Sequence, residues 1–165
     1  MNIFTERLIL RTFKLKDANQ FFNIIQDDAV KYYLKGVYED NKEKVKATIA
    51  IYRGADFVND YYYAIEDKKN GDLLGSIIAT RINKHEIEVA YFIAEQYRRC
   101  GFMKEALMAF LKQITDERKN KILKFVVDKE NVASINLIKS LNIPIYGKSD
   151  SQYIFKYYGG VYYDN

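Results

Sequence analysis

Arg98-Arg99-Cys100-Gly101-Phe102-Met103 is the run whose residue types best fit a chemical task. It follows a β-rich, alternating stretch, Glu86 to Ile93. It precedes apolar residues at Phe102, Ala106, Phe110 and Ile114, with Met103, Leu107 and Leu111 beside them. That second spacing is helical, so a short basic turn with one glycine opens a helix. The first turn of a helix carries unpaired backbone N–H groups and a partial positive charge. Phosphate binds there readily, and two arginines add charge and planar donors. The run offers a seat for a phosphorylated cofactor. It lacks the Lys-Ser/Thr ending of a P-loop and the three glycines of a dinucleotide fingerprint. Taken alone, it also fits a basic turn that simply caps a helix.

Composition narrows the setting. At 165 residues the chain has the size of one ordinary domain with a real core, and 1–165 reads as a single domain. Lys and Arg number 26 against 22 Asp and Glu, a net charge of +4. That mild excess suits an anionic cofactor and is too small to indicate nucleic acid, since the basic residues are scattered. No apolar run approaches the ~18 residues of a membrane span. Met1 to Arg7 does not read as a signal peptide. One Cys excludes an intramolecular disulfide, and one Cys with one His argues against structural zinc. The expectation is a soluble, cytoplasmic protein, monomer or homodimer, with no metal, membrane or nucleic-acid partner. Its 25 aromatics, 15 Tyr and 10 Phe, include no Trp.

The elements that must position the turn are legible in outline. Leu8-Ile9-Leu10 reads as a first strand. Asp17 to Gln26 reads as a short helix continued by a turn through Val30, Tyr33 and Leu34. Asp40, with Glu43 three residues on, is the expected cap of a third helical stretch with Val45, Ile49 and Tyr52 on its apolar side. Strands are expected at Tyr61 to Glu66, Leu73 to Ile82 and Glu86 to Ile93, with turns at 68–72 and 83–85. A helix over 102–118, a strand over Ile122 to Asp128, and a helix marked by Val132, Ile135, Ile138 and Leu141 follow. Ile145 and Ile154-Phe155 seed two last strands. Short turns make the early strands antiparallel. The β–α–β step from 86–93 to 122–128 requires a parallel pair. The fold class is therefore α/β of the mixed α+β kind, a mixed sheet with helices on both faces.

Arg98 to Met103 fits Arg/Gln-x-x-Gly-x-Gly/Ala except at its last position, and so resembles the pyrophosphate motif of the GNAT superfamily of acetyl-coenzyme A-dependent N-acetyltransferases. Tyr97 to Ala106 is similar to the Tyr-Arg-Gly-Lys-Gly-Tyr-Met-Thr-Glu-Ala run of its ribosomal-protein (Rim-like) branch. Arg99 replaces a frequent Gly, which costs energy wherever φ is positive. Thr5 to Arg11 with Lys16-Asp17-Ala18, and Asp128 to Ile135 closing on Lys139 to Ile143, resemble the same branch. Asn142 there stands for a helix-capping Gly. The resemblance spans nearly the whole chain. It implies a GNAT-like, mostly antiparallel sheet of six to seven strands with a splayed parallel pair, 86–93 and 122–128, at its centre.

It also implies a chemistry, acetyl transfer from acetyl-CoA, the cosubstrate, to a primary amine. The acceptor would be a protein N-terminus, a polyamine or an amine-bearing small molecule. Backbone at Tyr91, Phe92 and Ile93 would hold the pantetheine arm and polarise the thioester. Arg98, Arg99, Cys100, Gly101, Phe102 and Met103 would hold the pyrophosphate, and Asn131 the pantetheine amide. Asn131 also reads as a plain helix N-cap. Glu88 is the implied general base, through water; otherwise it is an exposed strand residue paired with Lys84 or Arg81. Val126 and Ile138 stand where relatives carry titratable groups, so Ser134 or a substrate-side Tyr becomes the candidate acid. Cys100 is assigned to the cradle rather than to a nucleophilic role, so attack is direct. His85 is read as exposed in a turn, and Arg118 to Lys121 as a solvated helix end. Tyr32, Tyr33 and Tyr38 fall where the family places its acceptor cleft. The rival reading is a catalytically silent CoA-binding module.

Overall fold

The expected alternation becomes strands β1 (Ile3–Phe4), β2 (Leu8–Thr12), β3 (Tyr61–Asp67), β4 (Leu73–Arg81), β5 (Glu86–Ile93), β6 (Ile122–Asp128), β7 (Ile145–Lys148) and β8 (Gln152–Tyr158). The helices are α1 (Ala18–Ile25), α2 (Asp28–Tyr33), α3 (Lys42–Arg53), α4 (Phe102–Glu117) and α5 (Val132–Lys139). The computed structural model describes residues 2–54, 60–117 and 121–159. Residues 118–120, most of the expected solvated helix end, lie outside the described residues.

Among the described residues the strands form one sheet in the order β1-β2-β3-β4-β5-β6-β8-β7. Each neighbouring pair is antiparallel except β5 and β6. The mixed, mostly antiparallel sheet is as expected, with one strand beyond the expected six or seven. That strand is β1, whose two residues are too few to show alternation. It exists because Thr5 turns the chain, its N–H bonding the Leu8 carbonyl at 3.0 Å.

Two cores cover the two faces. Ala106, Leu107, Phe110 and Ile114 of α4, with Ile135 and Ile138 of α5, pack on Leu10, Tyr63, Ile77, Val89 and Phe125. Phe21 and Ile25 of α1, and Val45 and Ile49 of α3, pack on Ala64, Ile78 and Phe92 from the other side. Arg11 and Asp17 are buried at the edge of the second core, 3% and 1% exposed. The Arg11 guanidinium donates to both Asp17 oxygens at 2.7 and 2.9 Å and to Glu66 at 2.6 Å. This bidentate pair leaves neither charge uncompensated, and losing one partner from such a pair costs about 3–5 kcal/mol.

Helix ends follow local chemistry. The cap of α3 is Asn41, not the expected Asp40. Asn41 Oδ1 accepts from the N–H groups of Glu43 and Lys44 at 2.8 and 3.2 Å, so the helix begins one residue later. At the end of α5, Asn142 takes φ 56. Its N–H bonds Lys139 O and the Ile143 N–H reaches Ile138 O, a Schellman closure. Asn142 does the capping work expected of it.

Candidate active site

The parallel pair opens. β5 and β6 are in register only over Glu86–Ile122, Ile87–Leu123 and Glu88–Lys124. Beyond that point β5 stays on β4 to Ile93, while β6 stays on β8 to Asp128. Gly75 of β4 lets β5 lean away from β6. A Cβ at this position would lie 2.1 Å from the Phe92 carbonyl oxygen. The resulting cleft, about 1090 Å³, is lined by both strands, α2, the turn at 98–103 and the start of α5. That volume suits a cofactor-sized ligand.

Backbone direction alternates along a strand. Ala94 N–H bonds Leu74 O toward β4, and His85 O accepts from Ile122 N–H toward β6. By this alternation, Tyr91 and Ile93 turn their N–H and C=O groups into the gap. Phe92 turns its own toward Ser76 of β4 and sends its ring into the core beside Phe21, with centroids 5.7 Å apart. Phe92 as a backbone donor to a cofactor is thus corrected. Tyr91 and Ile93 remain.

The basic turn does open a helix at the mouth of the cleft. Arg99 has φ 60 and Gly101 φ 78. Arg99, where the resembled branch frequently carries Gly, adopts positive φ, and Arg bears the strain. Arg98, Arg99, Gly101, Phe102 and Met103 line the cleft; Cys100 does not. Cys100 is exposed, its Sγ 3.3 Å from Arg98 O and its carbonyl bonded to Arg7. The Arg7 bond engages the Cys100 carbonyl, not the backbone N–H through which this residue was expected to join the cradle. Arg98 bonds Asp27 at 2.6 Å, and Asp27 in turn caps α2 through the N–H groups of Ala29 and Val30. Burial opposes the Asp27 charge, but the bonds from Arg98, Val30 and Ala29 outweigh it and hold the carboxyl below its ordinary value. Among the described residues, Arg99 and Lys104 at the cleft have no ion-pair partner.

The two faces of the gap carry different groups. Glu88 shares the α1–α3 side with Lys124, whose Nζ stands 3.3 Å from it. The partner is the parallel neighbour, not Lys84 or Arg81. Both Glu88 and Tyr33 of α2 line the cleft. Tyr32 is exposed and bonds Glu130 at 3.2 Å, and Tyr38 lies against Lys31, so Tyr33 alone of the three expected tyrosines lines the cleft. On the other face, Tyr91 Oη and Ser134 Oγ are 2.6 Å apart. Burial pushes the Tyr91 phenol up to about 12, against a lowering hydrogen bond with Ser134. The phenol therefore keeps its proton at neutral pH. Asn131 caps α5, accepting from the Ser134 N–H at 3.1 Å, and also lines the cleft. Val126 lines the cleft and Ile138 is fully buried. His85 is exposed in its turn.

Sequence reading missed Asp27, Lys104 and the Tyr91 hydroxyl. Lys104 was findable, as a cation in the first turn of the expected helix. Asp27 and Tyr91 act through contacts 71 and 43 positions away, which no local pattern reveals. Among the described residues no cluster of His, Cys, Asp and Glu could hold a metal ion, and no helix is long and apolar enough to cross a membrane.

Known proteins resemble this chain in sequence and in fold. The YnaD protein of Bacillus subtilis (strain 168), described as an uncharacterized N-acetyltransferase, is 26% identical over 145 residues, covering 87% of this chain and 82% of its own. A GNAT-family acetyltransferase from Bacillus anthracis superposes with a TM-score of 0.84 at 20% identity, over 96% of this chain and 99% of that one. RimL, a ribosomal L7/L12 alpha-N-protein acetyltransferase solved in complex with coenzyme A, gives 0.82 at 12% identity, over 96% and 98%. At such identities the structures show a shared fold. The family model for the acetyltransferase (GNAT) domain matches residues 7–143, most of the chain, and with it the chain belongs to the GNAT acetyltransferases, a family of acyltransferase enzymes.

Proposed function

We propose that residues 1–165 form one N-acetyltransferase domain that moves an acetyl group from acetyl-CoA to a primary amine by direct attack. The observation that carries this reading is the gap itself. Unpaired backbone at Tyr91 and Ile93 leads from a helix N-terminus to a carboxylate, Glu88. Acetyl-CoA supplies the activated thioester. Gly101, Phe102 and Met103 would hold its pyrophosphate on backbone N–H groups, with Arg99 and Lys104 neutralising charge. Asn131 and the backbone of Tyr91 and Ile93 would hold the pantetheine arm.

Glu88 takes the proton from the amine, through water, so that a neutral nitrogen attacks the carbonyl. A backbone N–H at Tyr91 or Ile93 stabilises charge on the thioester oxygen. The attacking nitrogen loses its extra proton to water as the C–S bond breaks. The Ser134 hydroxyl, beside the protonated Tyr91 phenol, passes one proton to sulfur while taking one back from water. Neutral amide and free thiol leave, and Ser134 is unchanged. Cys100 is not among the cleft-lining residues, so in this reading attack is direct and no acetyl-enzyme forms there. The acceptor is a protein N-terminus, a polyamine or a small amine, admitted beside Tyr33. The protein acts as a monomer or homodimer in the cytoplasm, without nucleic acid.

Release of CoA across an amine panel tests the reading. Glu88→Gln should lower kcat by about 10²–10⁴-fold with acetyl-CoA affinity unchanged. The loss should shrink as pH rises and more amine is already neutral. A wild type that binds acetyl-CoA but fails to release CoA with every amine of the panel would return the silent-module reading. Full turnover by Glu88→Gln would remove Glu88 from the mechanism.

A further inference from the structure

We infer that Arg7 is a positioning residue for the pyrophosphate cradle, a role that rests on the acetyl-CoA reading above. Arg7 lies in the β1–β2 turn, almost a hundred positions before the cradle, yet its guanidinium sits against the cradle from Cys100 to Phe102. Its Nη1 donates to the Cys100 carbonyl at 3.0 Å. Its guanidinium carbon lies 4.3 Å from the centre of the Phe102 ring. A Cβ on Gly101 would come within 3.4 Å of Nη2. The Arg7 Nε and backbone N–H both donate to Glu105, at 2.7 and 2.8 Å, and Thr5 Oγ1 donates to the same carboxylate at 2.5 Å.

The peptide plane turns these contacts into a function. In a trans peptide the C=O of one residue and the N–H of the next point in opposite directions. Arg7 draws the Cys100 carbonyl toward itself, so the Gly101 N–H is directed away from Arg7. Gly101 also closes the first turn of α4, its carbonyl accepting from the Glu105 N–H at 3.0 Å. The clamp therefore sets the first N–H of the cradle and the start of the helix together. It also answers an electrostatic conflict. Glu105 places a carboxylate in the same first turn that would receive a diphosphate. Burial opposes that charge, but the bonds from Thr5 and Arg7 outweigh it and keep the carboxyl below its ordinary value. Arg7 supplies the neutralising cation, and without it Glu105 would repel the incoming anion.

This predicts a loss confined to the diphosphate end of the ligand. By calorimetry, Arg7→Gln should raise the Kd for acetyl-CoA by about tenfold, the scale of one charge-assisted contact. The Kd for S-acetyl-pantetheine, which lacks the diphosphate, should stay within about twofold of wild type. Arg7→Lys, which retains the cation, should recover part of the loss. If Arg7→Gln does not fold, Arg7→Lys carries the same two-ligand comparison, with a smaller loss confined to acetyl-CoA. Equal weakening toward both ligands, or a folded Arg7→Gln that binds acetyl-CoA as wild type does, overturns the clamp while leaving the cofactor reading intact. A wild type that takes up no acetyl-CoA overturns the cofactor reading and the clamp with it.

Discussion

Gly75→Ala should damage stability and the cofactor cleft together, because Gly75 is where β4 makes room for the end of β5. The new Cβ would meet Phe92 O at 2.1 Å, Ile93 Cα at 2.8 Å and Phe92 C at 3.0 Å. All three are backbone atoms, so no side-chain rotation relieves the clash. Carbon contacts relax only near about 3.5 Å, and the strands must part by more than about 1 Å. The Ala94 N–H bond to Leu74 O, 2.8 Å long, lies next to the clash and is the first at risk. Overpacking costs about 1–3 kcal/mol, and the lost bond adds about 1 kcal/mol. In a chain of 165 residues the combined ~2–4 kcal/mol corresponds to a Tm lower by about 5–15 °C. If β5 yields instead of β4, Ile93 moves into the gap and acetyl-CoA binding weakens. Gly147→Ala is the matched control, since its nearest neighbour would be a side-chain carbon of Ile154 at 4.0 Å. Thermal melts and calorimetry on both variants decide the matter. A Gly75→Ala protein with unchanged Tm and unchanged affinity would refute the packing argument and the account of why the strands splay.

Arg99→Ala should weaken acetyl-CoA binding more than Arg98→Ala does, since Arg98 is engaged by Asp27 at 2.6 Å and Arg99 has no ion-pair partner among the described residues; the reverse order in calorimetry would show that Arg98 leaves Asp27 for the phosphate. Stability should fall in acid. Asp27 and Glu105 both sit below their ordinary carboxylate values, 3.8 and 4.5, in the folded protein. Their contribution is fully present above those values and is lost as pH falls through the lower folded ones. Urea melts should therefore show a plateau above about pH 5 and a decline below it that is shallower in Asp27→Asn. An identical acid decline in that variant would remove Asp27 from the linkage.

Much of this site is legible in the sequence alone. The alternation at 86–93 and 122–128, the helical spacing after Gly101 and the αL cap at Asn142 depend on neighbours within a few residues, where backbone propensity and side-chain period act. The same holds for the basic turn and for the motif resemblance that points to the family. Asn41 caps α3 in place of the expected Asp40, because adjacent capping residues differ only in which backbone conformation the turn adopts. What the tertiary structure decided was partnership and direction. Glu88 faces Lys124 because of the parallel register, 36 positions away. Arg98 meets Asp27 and Arg7 meets Cys100 across 71 and 93 positions. The N–H of Phe92 points to β4 while those of its neighbours point into the gap, a parity set by strand pairing. Such contacts depend on how rigid elements dock, and docking is fixed by the summed burial of two cores rather than by any local pattern.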